Sequence, residues 1–353
     1  MKVVILKRDK IGDMLLVTPM LAHLRRSLPG AQIHLLANDY NAWVLDGNTD
    51  LDRLWVYPRV RHGATLRPWA VVQQWLQIRA LKRERFDFAI AAGGVVSPRA
   101  AGRILRLGAQ RTIAFAGSGP DGHDPVFTRL TDAVPYERAL HEVESNLRLL
   151  QPLGVGMPAQ VPRPRLRLAR HWLDAGAAWL AQSGLAPGRF VVIGLNARRV
   201  KRKPGAAQII AWSRHLKEAH GLDSVLIWQP GPADDRVYPG DDEIVRPLLE
   251  DAPPWLHPFV NPKDVRGALG VVWHAALSVF PDGGLAHLAS ASPGGVLALF
   301  AETHVSPHPD NWRPWAPRAD YLEADRSVTE LPDHLVIARM EALLAKPLQT
   351  EPE

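Results

Sequence analysis

Short apolar runs recur along the chain, separated by longer segments whose apolar positions fall every third or fourth residue. Lys2–Leu6, Ile33–Leu36, Leu54–Tyr57, Phe88–Ala91 and Thr112–Phe115 have the length and β-branched or aromatic character of buried strands. Between them, Met14–Leu28, Trp69–Leu81 and Pro98–Leu107 carry helical periodicity; in the first, Leu15, Pro19, Ala22 and Leu24 oppose Arg25 and Arg26. A second series follows. It holds a helix over Leu168–Ser183, strands at Phe190–Leu195, Ser224–Trp228, Ala276–Phe280 and Val296–Phe300, and a final helix over Leu335–Leu344. Strands alternating with helices predict mostly parallel sheets, because parallel neighbours need a crossover. Pro152–Pro164 is rich in proline and glycine and reads as a linker. With 353 residues the chain is too long for one ordinary core. The predicted fold class is α/β, with two Rossmann-like domains facing across a cleft. The N-terminal domain covers residues 1–160 and the C-terminal domain 161–330. Residues 331–353 form a helix returning to the N-terminal domain, then a tail.

Two turns carry the candidate chemistry. Pro281-Asp282-Gly283-Gly284-Leu285-Ala286-His287-Leu288-Ala289 follows a predicted strand and opens a predicted helix at Leu285. A strand, a turn with two glycines and a helix start make an anion site: the first helical N–H groups point outward, and the dipole there favours phosphate. Asp282 is either a ligand group or a helix cap, and His287 falls one turn in. The second turn, Arg8-Asp9-Lys10-Ile11-Gly12-Asp13, follows the first strand. It places a carboxylate, Asp13, where ligands of open α/β sheets bind, beyond the carboxyl ends of the strands. The plain alternative is that Asp13 caps a helix beginning at Met14.

These residues resemble a known family. Ile11-Gly12-Asp13 with Leu16-Val17-Thr18-Pro19 is similar to the opening signature of glycosyltransferase family 9, the ADP-heptose:lipopolysaccharide heptosyltransferases. Asp282 to Ala289 resembles that family's Asp-(Ser/Thr)-Gly-x-x-His-x-Ala signature, with Gly283 in place of Ser or Thr. Asn311-Trp312-Arg313-Pro314-Trp315 resembles the end of its nucleotide-binding domain, and His141–Leu150 a mid-chain helix. Order and spacing match along nearly the whole chain.

The resemblance implies a GT-B type, inverting, metal-independent transferase. It would move a heptose from an ADP-sugar donor to an anionic glycolipid, the lipopolysaccharide inner core. It also implies a cytoplasmic enzyme, peripherally held at the inner face of the cytoplasmic membrane. Asp13 would be the base that takes the acceptor proton. Donor-binding positions would be Asn196, Lys201, Asp282, Gly283, Gly284, Leu285 and His287. In Asn196-Ala197-Arg198-Arg199-Val200-Lys201-Arg202-Lys203-Pro204, five basic residues fall within six positions after a strand. The family carries a Lys shortly before a Trp-Pro; Lys201 matches it if Lys203-Pro204 stands for Trp-Pro, while Lys203 or Arg199 are the alternatives. A solvated basic loop is the plain reading. An acidic group for the donor ribose is expected after Trp228, with Asp241, Asp242 and Glu243 as candidates. On the acceptor side, Gly12, Arg59, Arg61 and Arg99 are candidates by position and charge. Asp50-Leu51-Asp52 superficially matches a metal-binding Asp-x-Asp but reads as a turn entering a strand. The donor half offers no carboxylate pair for Mg²⁺, and no cofactor is expected.

Composition narrows the classes. Hydrophobic content of 46% with 22% charged residues is globular. The chain has no cysteine, which excludes a disulfide framework and thiolate metal sites. No apolar run approaches the ~20 residues that span a bilayer, and Val3–Leu6 is too short for a signal peptide. The formal charge of +6 suits phosphate-rich lipid or an anionic membrane face, while neither zinc-finger spacing nor an RNA-binding aromatic signature favours nucleic acid. Three other readings share these features. They are the same fold with another donor or glycan acceptor, a non-catalytic nucleotide- or lipid-binding protein, and a nucleotide-sugar epimerase. The last leaves Ile11-Gly12-Asp13 unexplained, and the second is opposed by the presence of Asp13, Lys201 and His287.

Overall fold

The structure is a computed structural model that describes all residues except 63–64, 118–122, 236–238, 262–263, 306–307 and 350–353, and leaves the side chains of Arg61, His62 and Val305 undescribed. The chain forms two compact units, Met1–Arg167 and Leu168–Glu353. The division falls seven residues after the predicted boundary at 160.

The first unit is built on strands β1 (Lys2–Leu6), β2 (Gln32–Asn38), β3 (Arg53–Tyr57), β6 (Phe88–Ala91), β7 (Arg111–Ala116) and β8 (Asp132–Pro135). A short antiparallel pair, β4 (Arg61–His62) and β5 (Thr65–Leu66), leads from the edge of the sheet. Its helices are α1 (Ile11–Leu15), α2 (Thr18–Ser27), α3 (Pro68–Arg83), α4 (Pro98–Leu105) and α5 (Glu142–Arg148). The sheet is parallel throughout, in the order β3-β2-β1-β6-β7-β8. Val3–Leu6 are wholly buried, as a central strand covered on both faces requires.

The second unit repeats this plan. Its strands are β9 (Phe190–Gly194), β10 (Asp223–Trp228), β11 (Leu256–Val260), β12 (Leu277–Pro281), β13 (Val296–Ala301) and β14 (Ala319–Ala324). Its helices are α6 (Arg170–Gln182), α7 (Ala206–His220), α8 (Asp242–Glu250), α9 (Val265–Val272), α10 (Gly284–Ser290), α11 (Pro309–Trp312) and α12 (Asp333–Leu344). The strand order is β11-β10-β9-β12-β13-β14, again parallel. In each sheet the order runs outward one way and then restarts on the other side of the first strand. The crevice between β1 and β6, and that between β9 and β12, are therefore the switch points where such sheets take ligands.

Two predicted features differ. The helix read over Met14–Leu28 is two helices: α1 starts at Ile11 and ends at Leu15, and α2 starts at Thr18. Pro19 lies in the first turn of α2, where its missing N–H and fixed φ suit a helix start rather than an interior. α10 begins at Gly284, one residue before the predicted start, with Gly283 as its N-cap. In the second unit, Val336, Met340 and Leu343 of α12 are buried in the core with Trp212 of α7. Trp212 Nε1–H donates to Asp333 there at 2.8 Å.

Candidate functional site

In the first unit, β1 ends at Leu6 and delivers Lys7 to the switch point. Lys7 is fully buried. Its Nζ pairs with Glu142, the first residue of α5, and lies 3.0 Å from Asp9 Oδ2. An unpaired charge could not stay buried there, so the pair fixes both groups. Burial pulls the Lys7 ammonium downward, but Glu142, Asp9 and Asp13 outweigh it and hold it charged, above the ordinary lysine range. Burial, with Asp13 and Asp9 nearby, pushes Glu142 up to about 7 against the opposing pull of Lys7.

The backbone around this pair is fitted to it. After β6, a Cβ on Gly94 would stand 2.8 Å from Glu142 Oε2 and 3.0 Å from its Cδ. Gly93 N–H donates to Asn146 Oδ1 at 3.0 Å, and the Tyr136 hydroxyl donates to Gly94 O at 2.6 Å. The His141 imidazole Nδ1 accepts from Val143 N–H at 3.2 Å and caps α5. The loop after β1 is held from the end of β2 and the turn that follows it: Asn38 Nδ2 donates to Arg8 O and Asn41 Nδ2 to Asp9 O, both at 2.9 Å.

Asp13 lies on α1, partly exposed, and accepts the Lys10 N–H at 2.9 Å in a capping box. Both readings of Asp13 thus have a physical basis. It does cap, from the third position of a helix that begins at Ile11 rather than Met14. Its charge also acts on Lys7 and Glu142 at the switch point. Gly12 is buried beside it. The acceptor-side arginines do not gather around it as a set. Arg59 donates to Asp39 Oδ1 at 2.7 Å and stacks 4.8 Å from the Tyr40 ring, and Arg99 is exposed in the first turn of α4. The Arg61 side chain lies outside the described residues. Asp52 is structural as read: it accepts from Ile33 N–H and from Arg25, both at 2.6 Å.

In the second unit, β9 and β12 bring Asn196 and Asp282 to their carboxyl ends. Gly194 closes β9 because a Cβ there would fall 2.0 Å from the Phe280 ring of β12. Asn196 Oδ1 is buried with no hydrogen-bond partner among the described residues. Gly283 lies close against the same segment, with a Cβ at 3.3 Å from Asn196 O. Leu285 and His287 are buried on α10. Asp282 is paired: Arg202 Nη1 is 2.9 Å from its Oδ2, and both side chains are nearly buried. The basic segment divides by burial. Lys203 is buried and pairs with Asp241, which also accepts Gln229 N–H at 2.7 Å. Burial raises the Asp241 carboxyl, with Lys203 opposing. Lys201 is 65% exposed and lies 3.7 Å from Glu302, which also meets Arg199 at 3.5 Å. Of the ribose candidates, Asp242 accepts Gly231 N–H at 3.0 Å and pairs with Arg246, and Glu243 lies in the first turn of α8.

Sequence reading missed Lys7, Glu142 and Arg202. Lys7 had one signal, a charge directly after a central apolar strand. Glu142 had none, since its partner is 135 residues away. Among the described residues, one group of three side chains has ligand atoms close enough for a metal: His215 and His220 of α7 with Glu341 of α12. It sits on helices rather than at strand ends.

Comparison with known proteins agrees with this geometry. Residues 75–331 match the model of glycosyltransferase family 9 (heptosyltransferase). The chain is 25% identical over 312 residues to lipopolysaccharide heptosyltransferase 3 of Escherichia coli, covering 86% of this chain and 84% of that protein. Its fold is similar to a glycosyl transferase family 9 structure from Veillonella parvula (TM-score 0.77, 16% identity, 97% of both chains). It is also similar to E. coli heptosyltransferase WaaC with ADP-2-deoxy-2-fluoro heptose (TM-score 0.69, 19% identity, 97% of this chain and 99% of that one). The two parallel six-stranded sheets are the α/β architecture of GT-B type glycosyltransferases. The chain belongs to glycosyltransferase family 9, the heptosyltransferase family, and is a glycosyltransferase.

Proposed function

We propose that the protein transfers a heptose from ADP-heptose to a hydroxyl of a lipopolysaccharide inner-core acceptor, at the inner membrane face, with Asp13 as general base. The observation that carries this reading is the partly exposed Asp13 carboxylate at a switch point where Glu142 is buried against Lys7 and Asp9, itself exposed, faces the same ammonium. Lys7 neutralises Glu142 and faces Asp9, so Asp13 is the carboxylate left to meet a substrate proton. A base positioned this way contributes roughly 10²–10⁴-fold to rate.

The step balances without a covalent intermediate. The acceptor oxygen gives its proton to Asp13 and bonds to the anomeric carbon, while the bond from that carbon to the diphosphate oxygen breaks. The electron pair leaves with ADP, and the configuration inverts. In the second unit, Asn196 Oδ1, a buried acceptor without a hydrogen-bond partner among the described residues, suits a donor N–H or hydroxyl. Lys201 and Arg199 meet the diphosphate charge from the exposed side, and Arg202 holds Asp282 ready for sugar hydroxyls. Lys203 and Asp241, bound to each other, position this segment rather than contact the donor. The relatives' heptose donors support the sugar. The departures from the family signatures at Gly283 and Lys203-Pro204 leave a non-catalytic nucleotide- or lipid-binding protein as the second reading.

Calorimetric titration with ADP-, UDP- and GDP-sugars, with and without EDTA, tests the donor. ADP-heptose is expected to bind tightest and to keep its affinity under chelation. Preference for a UDP- or GDP-sugar overturns the donor, and binding lost to EDTA and restored by Mg²⁺ overturns the role of the cations.

A further inference from the structure

We propose that the outward face of α3 is a membrane-docking surface that lays the first unit on an anionic lipid bilayer; this rests on the reading that the acceptor is a glycolipid. A surface helix ordinarily buries an apolar stripe and turns polar residues outward. Over its first half α3 does the reverse. Ala70 and Leu81 are buried on its inner side. Gln74 and Gln77 hold that side by donating to Pro58 O at 2.6 Å and Val56 O at 2.8 Å. Trp69, Val72, Trp75 and Leu76 face outward, each at least 51% exposed. At helical spacing they form one patch, not scattered singles, and a contiguous exposed patch marks an interaction site.

Charge selects the occupant. The last turns of α3 carry Arg79, Lys82 and Arg83, all exposed, and the helix has no acidic residue. The Arg79 guanidinium lies 4.6 Å from the Trp75 ring centroid, so cation and apolar surface are continuous. A second copy of this face would offer apolar area but no counter-charge. A bilayer interface with anionic headgroups offers both, and tryptophan is the side chain that favours that depth. Placement fits the acceptor. Arg67, the residue before α3, pairs at 3.3 Å with Asp39 just beyond the carboxyl end of β2. The apolar half of the helix therefore lies at the end of the sheet from which the Asp13 loop also emerges, where a lipid-anchored substrate would present its sugar.

Flotation of the full chain with vesicles tests this, using phosphatidylcholine alone and phosphatidylcholine mixed with phosphatidylglycerol. Wild type is expected to float with the anionic vesicles, less so as salt rises, and with a blue shift of tryptophan emission. Trp75→Ser with Leu76→Ser should weaken vesicle binding by about tenfold or more, and Arg79→Glu should weaken it for anionic vesicles only. Both variants should keep wild-type circular dichroism, donor affinity and turnover on a de-acylated, water-soluble acceptor. Unchanged flotation of the double variant overturns the proposal, as does wild type that ignores anionic lipid. A concentration-dependent dimer abolished by the double variant also overturns it, since a second copy then covers the face. Flotation decides docking whether or not turnover is found, so failure of the transferase reading registers separately, as absent transfer by a protein that still binds vesicles.

Discussion

Lys7 and Glu142 form an ion pair from which solvent is excluded, between the residue that follows the central strand of the first sheet and the residue that opens α5. Taking both charges out of water is costly, and the pair is stable only because each compensates the other. The pair stands at the switch point, and Asp13 acts electrostatically on both partners.

A pH signature follows. The Glu142 carboxyl titrates near 7 in the folded chain and near 4.5 when unfolded. Between those values the native state keeps a proton that the unfolded state has released, so this group lowers stability as pH rises through the window and adds no slope above it. Lys7, held above its ordinary range, is protonated in both states there and adds none. Glu142→Gln should remove a slope of at most about 1.4 kcal/mol per pH unit. Urea midpoints at several pH values between 5 and 8 check it. Parallel curves for the two proteins would contradict it.

The two lysines of the basic segment should separate by phenotype. Lys203→Ala leaves Asp241 buried without its ammonium, and breaking such a pair costs about 3–5 kcal/mol. Lys201→Ala removes an exposed cation and should change stability by less than about 0.5 kcal/mol. It should instead weaken ADP by about 1.5–3 kcal/mol, while adenosine affinity hardly moves. Thermal melts and calorimetry on both variants distinguish the roles.

Gly94→Ala tests the packing of the pair. The added methyl would stand 2.8 Å from Glu142 Oε2 and close to two further atoms of that side chain, so Glu142 has to shift. A loss of about 1–3 kcal/mol is expected for such overpacking, with a fall in turnover and donor affinity unchanged. Reduced donor affinity with intact turnover would show that the pair does not serve the acceptor half.

Much of this was legible in the sequence, and what was not has physical reasons. The central strands are apolar on both faces, so Phe88–Ala91 and Phe190–Gly194 stand out as runs. Of the strands in the two six-stranded sheets, those that escaped notice are β8, β11 and β14, at sheet edges, where burial is partial and proline is tolerated, as at Pro258. Asp13 and Asp282 could be named because each sits in a compact local motif. The Lys7–Glu142 and Lys203–Asp241 pairs could not, because their partners meet only when sheet crossovers close. Burial separates the basic segment: Lys203, two residues after Lys201 and alike in charge, is buried against Asp241.

Asp13 is proposed to take the acceptor proton. The most direct test is single-turnover formation of glycosylated acceptor from ADP-heptose, comparing wild type with Asp13→Asn at saturating donor. Asn keeps the shape, and its side-chain oxygen can still accept the Lys10 N–H that Asp13 accepts at 2.9 Å. Asp13→Asn is expected to fold, to bind ADP-heptose with near wild-type affinity, and to form product about 10²–10⁴-fold more slowly. Product formation at close to the wild-type rate would contradict it and reduce Asp13 to the helix cap that it also is.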